Sequence, residues 1–203
     1  MPERDTNIDF AQVGTDDERL AMYRLRFHVY CVENKFLDAA DNPNGLEKDD
    51  WDAASAHFIA KLEGEVVGTI RLVIDSPLGY PIESHFDVAH LRAPGRVFAE
   101  LSRFIVDPKH RRNIFGISNG LMGVILRYSL QKGITDWCGL FDDKLYRVYR
   151  HHGYPLIKVG EASSCFGCTN SPYTLNIEDF MESLRENNPK MYEYMLSDCC
   201  TVS

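Results

Sequence analysis

The chain has 203 residues, 44% of them hydrophobic and 26% charged, which is enough to build one domain around a full core. Its 22 basic and 30 acidic residues leave a formal net charge of −8. That balance argues against nonspecific nucleic-acid binding, which needs a broad basic surface to displace phosphate counterions. The N-terminus is polar and acidic rather than basic then apolar, so no signal peptide is expected. The longest apolar run, residues 121–126, falls far short of the ~20 residues of a membrane span, leaving the cytoplasm as the default compartment.

In chain order, residues 16–32 read as a helix, with Leu20, Tyr23, Phe27 and Tyr30 at three- and four-residue spacing behind a Thr15-Asp16-Asp17 start. Residues 35–52 hold Asn42-Pro43-Asn44-Gly45 and a dense acidic run, and read as a loop of functional length. Residues 57–62 and 66–74 are β-rich runs joined at Glu63-Gly64-Glu65, a hairpin signal. Residues 97–106 form another strand candidate, closed by Asp107-Pro108. A helix over 114–131 ends at Gly133, a short strand covers 134–140, a helix covers 142–151, and a strand covers 156–159. The tail carries a last helix, 177–196, interrupted at Pro189. A hairpin followed by alternating strands and helices predicts an α/β fold with a mixed sheet, helices on both faces, in one domain spanning 1–203.

Six cysteines stand at positions 31, 138, 165, 168, 199 and 200. A disulfide framework is not expected in a chain of this length without an export signal. Cys165 and Cys168 have the spacing of half a zinc site, but adjacent Cys199 and Cys200 make a poor second half and no histidine lies close in sequence. Free thiols and no bound metal are the expectation.

Residues 106–116, Val-Asp-Pro-Lys-His-Arg-Arg-Asn-Ile-Phe-Gly, join a strand to the long helix, and Tyr149-Arg-His-His-Gly-Tyr154 follows 40 residues on. Together they resemble the two signatures of the GNAT acyltransferases, over roughly residues 97–158. The resemblance implies a splayed mixed sheet, and a turn whose free N–H groups and helix dipole hold a thioester carrier's phosphate. Arg111 takes the basic position and Gly116 the last glycine. Ile114 replaces the first glycine, which disfavours the tight pyrophosphate approach of coenzyme A and favours a bare phosphopantetheine arm. Lys109, His110, Arg111 and Arg112 form a basic cluster on an acidic protein, fit to steer an acidic acyl carrier protein.

The N-terminal half carries a second pattern: Arg26, Tyr30, Phe36, then Glu47-x-Asp49-x-x-Asp52, Arg71, and Glu100-x-Ser102-Arg103. It resembles the acyl-homoserine-lactone synthases and their relatives, the N-acyl amino acid synthases. Arg71 and Glu100 lie in runs apolar enough to be interior strands, where an unpaired charge is expensive. The resemblance implies transfer of a long fatty acyl group from acyl carrier protein, or coenzyme A, to a small amine, with no permanently bound cofactor. Glu100 is the first candidate for general base and Glu47 the second; Tyr149 matches the tyrosine that protonates the leaving thiolate. N–H groups after Ser102 are candidates for an oxyanion hole. Arg26, Asp49, Asp52, Arg71, Ser102 and Arg103 are expected at the acceptor. Phe36, Phe104, Arg111, Arg112, Phe115 and Gly116 are expected at the acyl chain and its arm, with Leu121 and Met122 lining the trough. The favoured acceptor is a free amino acid. S-adenosylmethionine, as in the lactone synthases, and a non-catalytic acyl-binding domain are the alternatives.

Overall fold

The computed structural model describes residues 8–74, 76–165 and 168–197. Eight strands in the order β1-β2-β3-β4-β5-β8-β6, with β7 added alongside β8, form a mixed sheet. β1 (Ile8–Gln12), β2 (Ser55–Leu62), β3 (Glu65–Ile74) and β4 (Phe98–Val106) are antiparallel neighbours. The β2–β3 connection has positive φ at both Glu63 (52°) and Gly64 (87°), the backbone of the two-residue hairpin turn that matches strand twist. β5 (Asp136–Phe141) runs parallel to β4 but pairs with it only over Phe98–Glu100. Beyond Glu100 the two strands part, while β5 stays paired with β8 (Cys168–Asn176) along its length. β6 (Ile157–Lys158) and β7 (Ser163–Cys165) pair with β8. This parting in mid-sheet opens the space that becomes the site.

Period-2 alternation sorts the layers. Ala56, Phe58 and Ala60 of β2 and Ile70 and Leu72 of β3 share a core with α2 (Ile114–Lys132), α4 (Ile177–Asn187) and α5 (Pro189–Leu196). The intervening residues face α1 (Asp16–Phe27), where Ile59 packs on Val13 and Met22. Thr15 and Glu18 close a capping box that starts α1, and three acidic residues in its first turn suit the helix dipole. α2 buries eleven residues and stops at Gly133, whose φ of 67° forms a left-handed cap. α3 (Asp143–His151) is capped by Asp142, and Pro189 opens α5 after the expected break.

Two departures from the sequence reading matter. The segment before α2 folds as a 3₁₀ helix, Pro108–Asn113, and Ile114 continues it with φ of −54°, its N–H donating to the Arg111 carbonyl. No open, glycine-like loop forms there. The helix expected over 16–32 turns into a π-helical segment, His28–Glu33, a wider winding often found at functional sites. Among the described residues no helix is long and apolar enough to cross a membrane, and no three His, Cys, Asp or Glu side chains converge as a metal group. Cys199 and Cys200 lie outside the described residues.

Candidate active site

The acidic loop folds onto itself before it meets the arginines. Asp49 caps a 3₁₀ turn, Asp50–Ala54, by accepting from the Trp51 N–H at 3.1 Å, and Asp52 returns the favour to the Asp49 N–H at 2.9 Å. Both carboxylates are thereby aimed inward. Arg26 of α1, fully buried, donates to Glu47 through Nε and to Asp52 through Nη1 (2.8 Å) and Nη2 (3.2 Å). Arg71 of β3 donates from Nη1 to Asp49 (2.5 Å) and Asp52 (2.9 Å), and from Nε to the Ser102 hydroxyl (3.0 Å). Arg103 donates from Nη2 to Glu47 (3.0 Å) and Asp49 (2.9 Å). Three cations meet three anions, so the cluster is formally neutral and each buried charge has partners. Burial by itself would raise the Glu47 and Asp52 carboxyls. The adjoining arginines outweigh it, holding Glu47 below the usual range and Asp52 at about 2.

Strict alternation would send Ser102 and Arg103 to opposite faces of the sheet. Instead the β3–β4 register slips between Thr69↔Ile105 and Arg71↔Ser102, so β4 carries one extra residue. Arg103 sits in this bulge with φ of 53°, a conformation costing a non-glycine residue ~1–3 kcal/mol. The bulge turns its guanidinium to the α1 face, over the Tyr30 ring at 5.3 Å and onto Glu47.

Where β4 and β5 part, a cavity of about 470 Å³ opens. It is lined by Glu100, Ser102, Arg103 and Phe104 from β4, by Tyr30 and Phe36 near the π-helical segment, and by Ile114 and Met122 from α2. Trp137 to Phe141, Tyr149, Tyr154 and Leu156 close the far wall. Glu100 stands at the last β4–β5 pair, 3% exposed. Opposite Val73 in register, it shares the face of Arg71 two residues along. No arginine binds it; its Oε2 accepts the Ile82 N–H at 2.8 Å. Burial pushes its carboxyl up to about 8, against the lowering pull of that N–H and of Arg71 and Arg103. The Tyr149 hydroxyl lies 2.9 Å from the Ser118 hydroxyl, and burial raises it above the ordinary phenol range.

The predicted residues therefore divide. Glu100, Ser102, Arg103, Tyr149, Phe36, Phe104 and Arg111 share the cavity wall. Arg26, Glu47, Asp49, Asp52 and Arg71 form the ionic cluster behind it rather than the wall itself. Each of the three guanidinium nitrogens of Arg26 already donates within the cluster, to Glu47 or Asp52. Phe115, 52% exposed, packs against the His152 ring, and neither it nor Gly116, Arg112 or Leu121 lines the cavity. Leu121 is core. Ile82 and the short 3₁₀ turn Pro81–Ser84, which roof Glu100, went unnoticed in the sequence; only Pro81 hints at a turn there.

The model of the N-acyl amino acid synthase FeeM family matches residues 21–176, a span holding the whole ionic cluster and the cavity-lining residues named above. The chain belongs to that family. It is thus an N-acyltransferase. A curated relative, an acyl-homoserine-lactone synthase of Vibrio anguillarum, is 24% identical over 150 residues, covering 70% of this chain and 76% of that one. The solved structure of BjaI, a CoA-dependent acyl-homoserine lactone synthase with MTA, superposes with a TM-score of 0.76 at 18% identity, covering 97% of this chain and 94% of that one. FeeM itself, from uncultured soil microbes, superposes at 0.68 and 20% identity, covering 87% and 94%. The fold extends to a GNAT-family acetyltransferase from Staphylococcus aureus at 0.53 and 18% identity, covering 84% and 99%, so the splayed sheet is GNAT-like as expected.

Proposed function

We propose that this N-acyltransferase moves a long fatty acyl group from an acyl carrier protein thioester to the amino group of a free amino acid. The observation that carries the reading is Glu100, a carboxyl set apart from the ionic cluster, on the cavity wall and held at about 8. A substrate ammonium releases its proton well above pH 7, so a carboxylate of such basicity is suited to receive it. The freed amine attacks the thioester carbonyl carbon, the C–N bond forms and the C–S bond breaks; Tyr149 gives its phenol proton to the departing thiolate, and the second proton shed by the nitrogen as the amide forms restores the phenol through solvent. The β5-facing edge of β4 beyond Glu100 has lost its strand partner and borders the cavity, where its N–H groups would face the developing oxyanion.

Support for an amino-acid acceptor comes from Arg71. Its Nη2 is buried without a hydrogen-bond partner, although Nε and Nη1 are engaged. Ser102 and Arg103 stand on the cavity wall in front of it, and a carboxylate drawn in past Ser102 would satisfy it. Glu47, Asp49 and Asp52 hold these arginines in place. Thiol release from acyl carrier protein thioester, followed with a panel of free amino acids and separately with S-adenosylmethionine, tests the reading. Release with amino acids and accumulation of N-acyl amino acids are expected. Turnover only with S-adenosylmethionine would assign the lactone synthase reaction, and binding of the thioester without release would assign a ligand-binding role.

Support for the carrier protein as donor comes from the closed 3₁₀ turn at Pro108–Asn113, which leaves fewer free N–H groups for a nucleotide pyrophosphate. Arg111 is held by Glu33 through two bonds of 2.7 Å, so Lys109 and Arg112, both exposed, are the cleaner probes. Reversing both to glutamate should raise KM for the carrier-bound thioester about tenfold and flatten its salt dependence, with little change for acyl coenzyme A. Equal losses for both donors, or none, would remove the carrier protein from the reading.

A further inference from the structure

Glu100 is held by a backbone N–H that lies 18 residues away in sequence. That N–H, of Ile82, belongs to the 3₁₀ turn Pro81–Ser84 in the long connection between β3 and β4. The turn is tied from within and from outside. The Tyr80 N–H donates to Glu83 Oε2 at 2.7 Å, and Arg92 donates to both oxygens of that carboxylate, at 2.8 and 2.7 Å. The Tyr80 hydroxyl donates to the Phe98 carbonyl at 2.7 Å, at the start of β4. A further tie comes from the acidic turn, where the Trp51 indole N–H donates to the Gly79 carbonyl at 3.1 Å. Gly79 has φ of 71°, and glycine turns as readily one way as the other, so its carbonyl depends on an outside partner to stay in place.

Trp51 stands between Asp50 and Asp52, but its indole is a neutral donor with no part in the charge pairing. Its ring packs against the apolar cluster that includes Tyr80, Ile82 and Phe98. One turn therefore aims Asp49 and Asp52 at Arg71 and the indole at the roof over Glu100. We infer that Trp51 is a positioning residue for the general base, fixing the Gly79 carbonyl so that the Ile82 N–H stays on Glu100. The inference rests on the reading of Glu100 as the base. A hydrogen bond donated to a carboxylate favours its charged form, so loosening the Ile82 N–H makes the proton harder to release. Arg71 from β3 and Arg103 from β4 also favour the charged form, and Glu83 from the roof opposes it. The Cys138 thiol, paired in register across β5, is pushed well above its usual range by burial and stays protonated. Removing the indole N–H changes the charge of none of these, so a change in the ionisation of Glu100 reports the Ile82 bond.

Trp51→Phe keeps a ring on the apolar cluster and removes the donor; Trp51→Met removes it with a different shape. Trp51 is half-buried, so both variants are expected to fold. Thiol release from the thioester with an amino acid should be followed as kcat against pH. In both variants the rising limb should move to higher pH by about half a unit, with kcat below the plateau falling about threefold and the plateau changing less. KM for the thioester should stay within about twofold, and hydrogen exchange at the Ile82 amide should quicken. A purely structural role would lower kcat by one factor at every pH. That result, an unmoved limb, or unchanged exchange at Ile82 would overturn the inference. Glu100→Gln run alongside separates it from the reading beneath. A limb that survives Glu100→Gln removes the base itself, whereas a limb lost in Glu100→Gln but unmoved in both Trp51 variants overturns the positioning role alone.

Discussion

Glu100→Gln is expected to lower kcat by a factor of ~10² to 10⁴ while leaving the fold intact. Glutamine has nearly the same shape and can still accept the Ile82 N–H, but it cannot receive a proton from the substrate ammonium. Wild-type kcat should climb with pH to a plateau governed by an ionisation near 8, and the variant should lack that limb. Stability supplies an independent sign. The carboxyl's folded value of about 8 lies above its ordinary 4.5, so between these values the folded state keeps a proton that the unfolded chain gives up. The stability contributed by Glu100 is therefore full below pH 4.5 and is lost as pH rises through 8. Glutamine has no such dependence, so the variant should gain thermal stability relative to wild type between pH 5 and pH 8. Retention of more than a third of the wild-type rate at neutral pH would place the base elsewhere. Glu47, gripped by Arg26 and Arg103 and held below the usual carboxylate range, would be a weak replacement.

The elements that the sequence shows clearly are those whose signals are local. The capping box at Thr15, the Glu63-Gly64 turn, Gly133 after α2 and the Asn188-Pro189 break all fall where short-range backbone chemistry puts them. β1, β7 and β8 are harder to read. β8 contains Pro172 and pairs along β5, while β7 and β6 are only three and two residues long and pair with β8, so they depend on β8 being there first. In the site, the order Arg26, Glu47, Asp49, Asp52, Arg71, Glu100, Ser102, Arg103 was legible as one pattern, but the partnership of each residue was not. Which carboxyl stays free is decided by distance in space: Glu47, Asp49 and Asp52 each find an arginine, while Glu100 meets only a backbone N–H. The bulge that brings Arg103 to the face of Ser102 has no glycine to announce it. Equally hidden is the closing of the turn before α2, where Ile114 continues a 3₁₀ helix rather than straining into a glycine conformation.

Asp52→Asn should destabilise the protein by ~3–5 kcal/mol, a large part of the ~5–15 kcal/mol that holds a typical domain together. Asp52 answers Arg26 through both oxygens and Arg71 through one, and it also accepts the Asp49 N–H that shapes the acidic turn. Neutralising it leaves three arginines, two of them fully buried, facing two carboxylates. By comparison, Glu18→Gln breaks a partly exposed bond to Lys61 of 2.6 Å and should cost no more than ~1 kcal/mol. Urea unfolding of both variants beside wild type makes the comparison, and a loss below ~1 kcal/mol for Asp52→Asn would show that the cluster is not held together as described. Acid should expose the same cluster in two stages. Burial holds His57, whose Nε2 faces the Asp52 carbonyl oxygen at 3.3 Å, at about 4 against its ordinary 6.5. Its contribution to stability is complete above pH 6.5 and is lost as pH falls through 4. Asp52, held at about 2 against 3.8, contributes fully above pH 3.8 and loses that contribution as pH falls through 2. Asp52→Asn should remove the lower stage. Because Arg71 loses one of its two carboxylate partners with it, the surviving folded fraction should also show a raised KM for the acceptor, the cost of letting that guanidinium drift from Ser102.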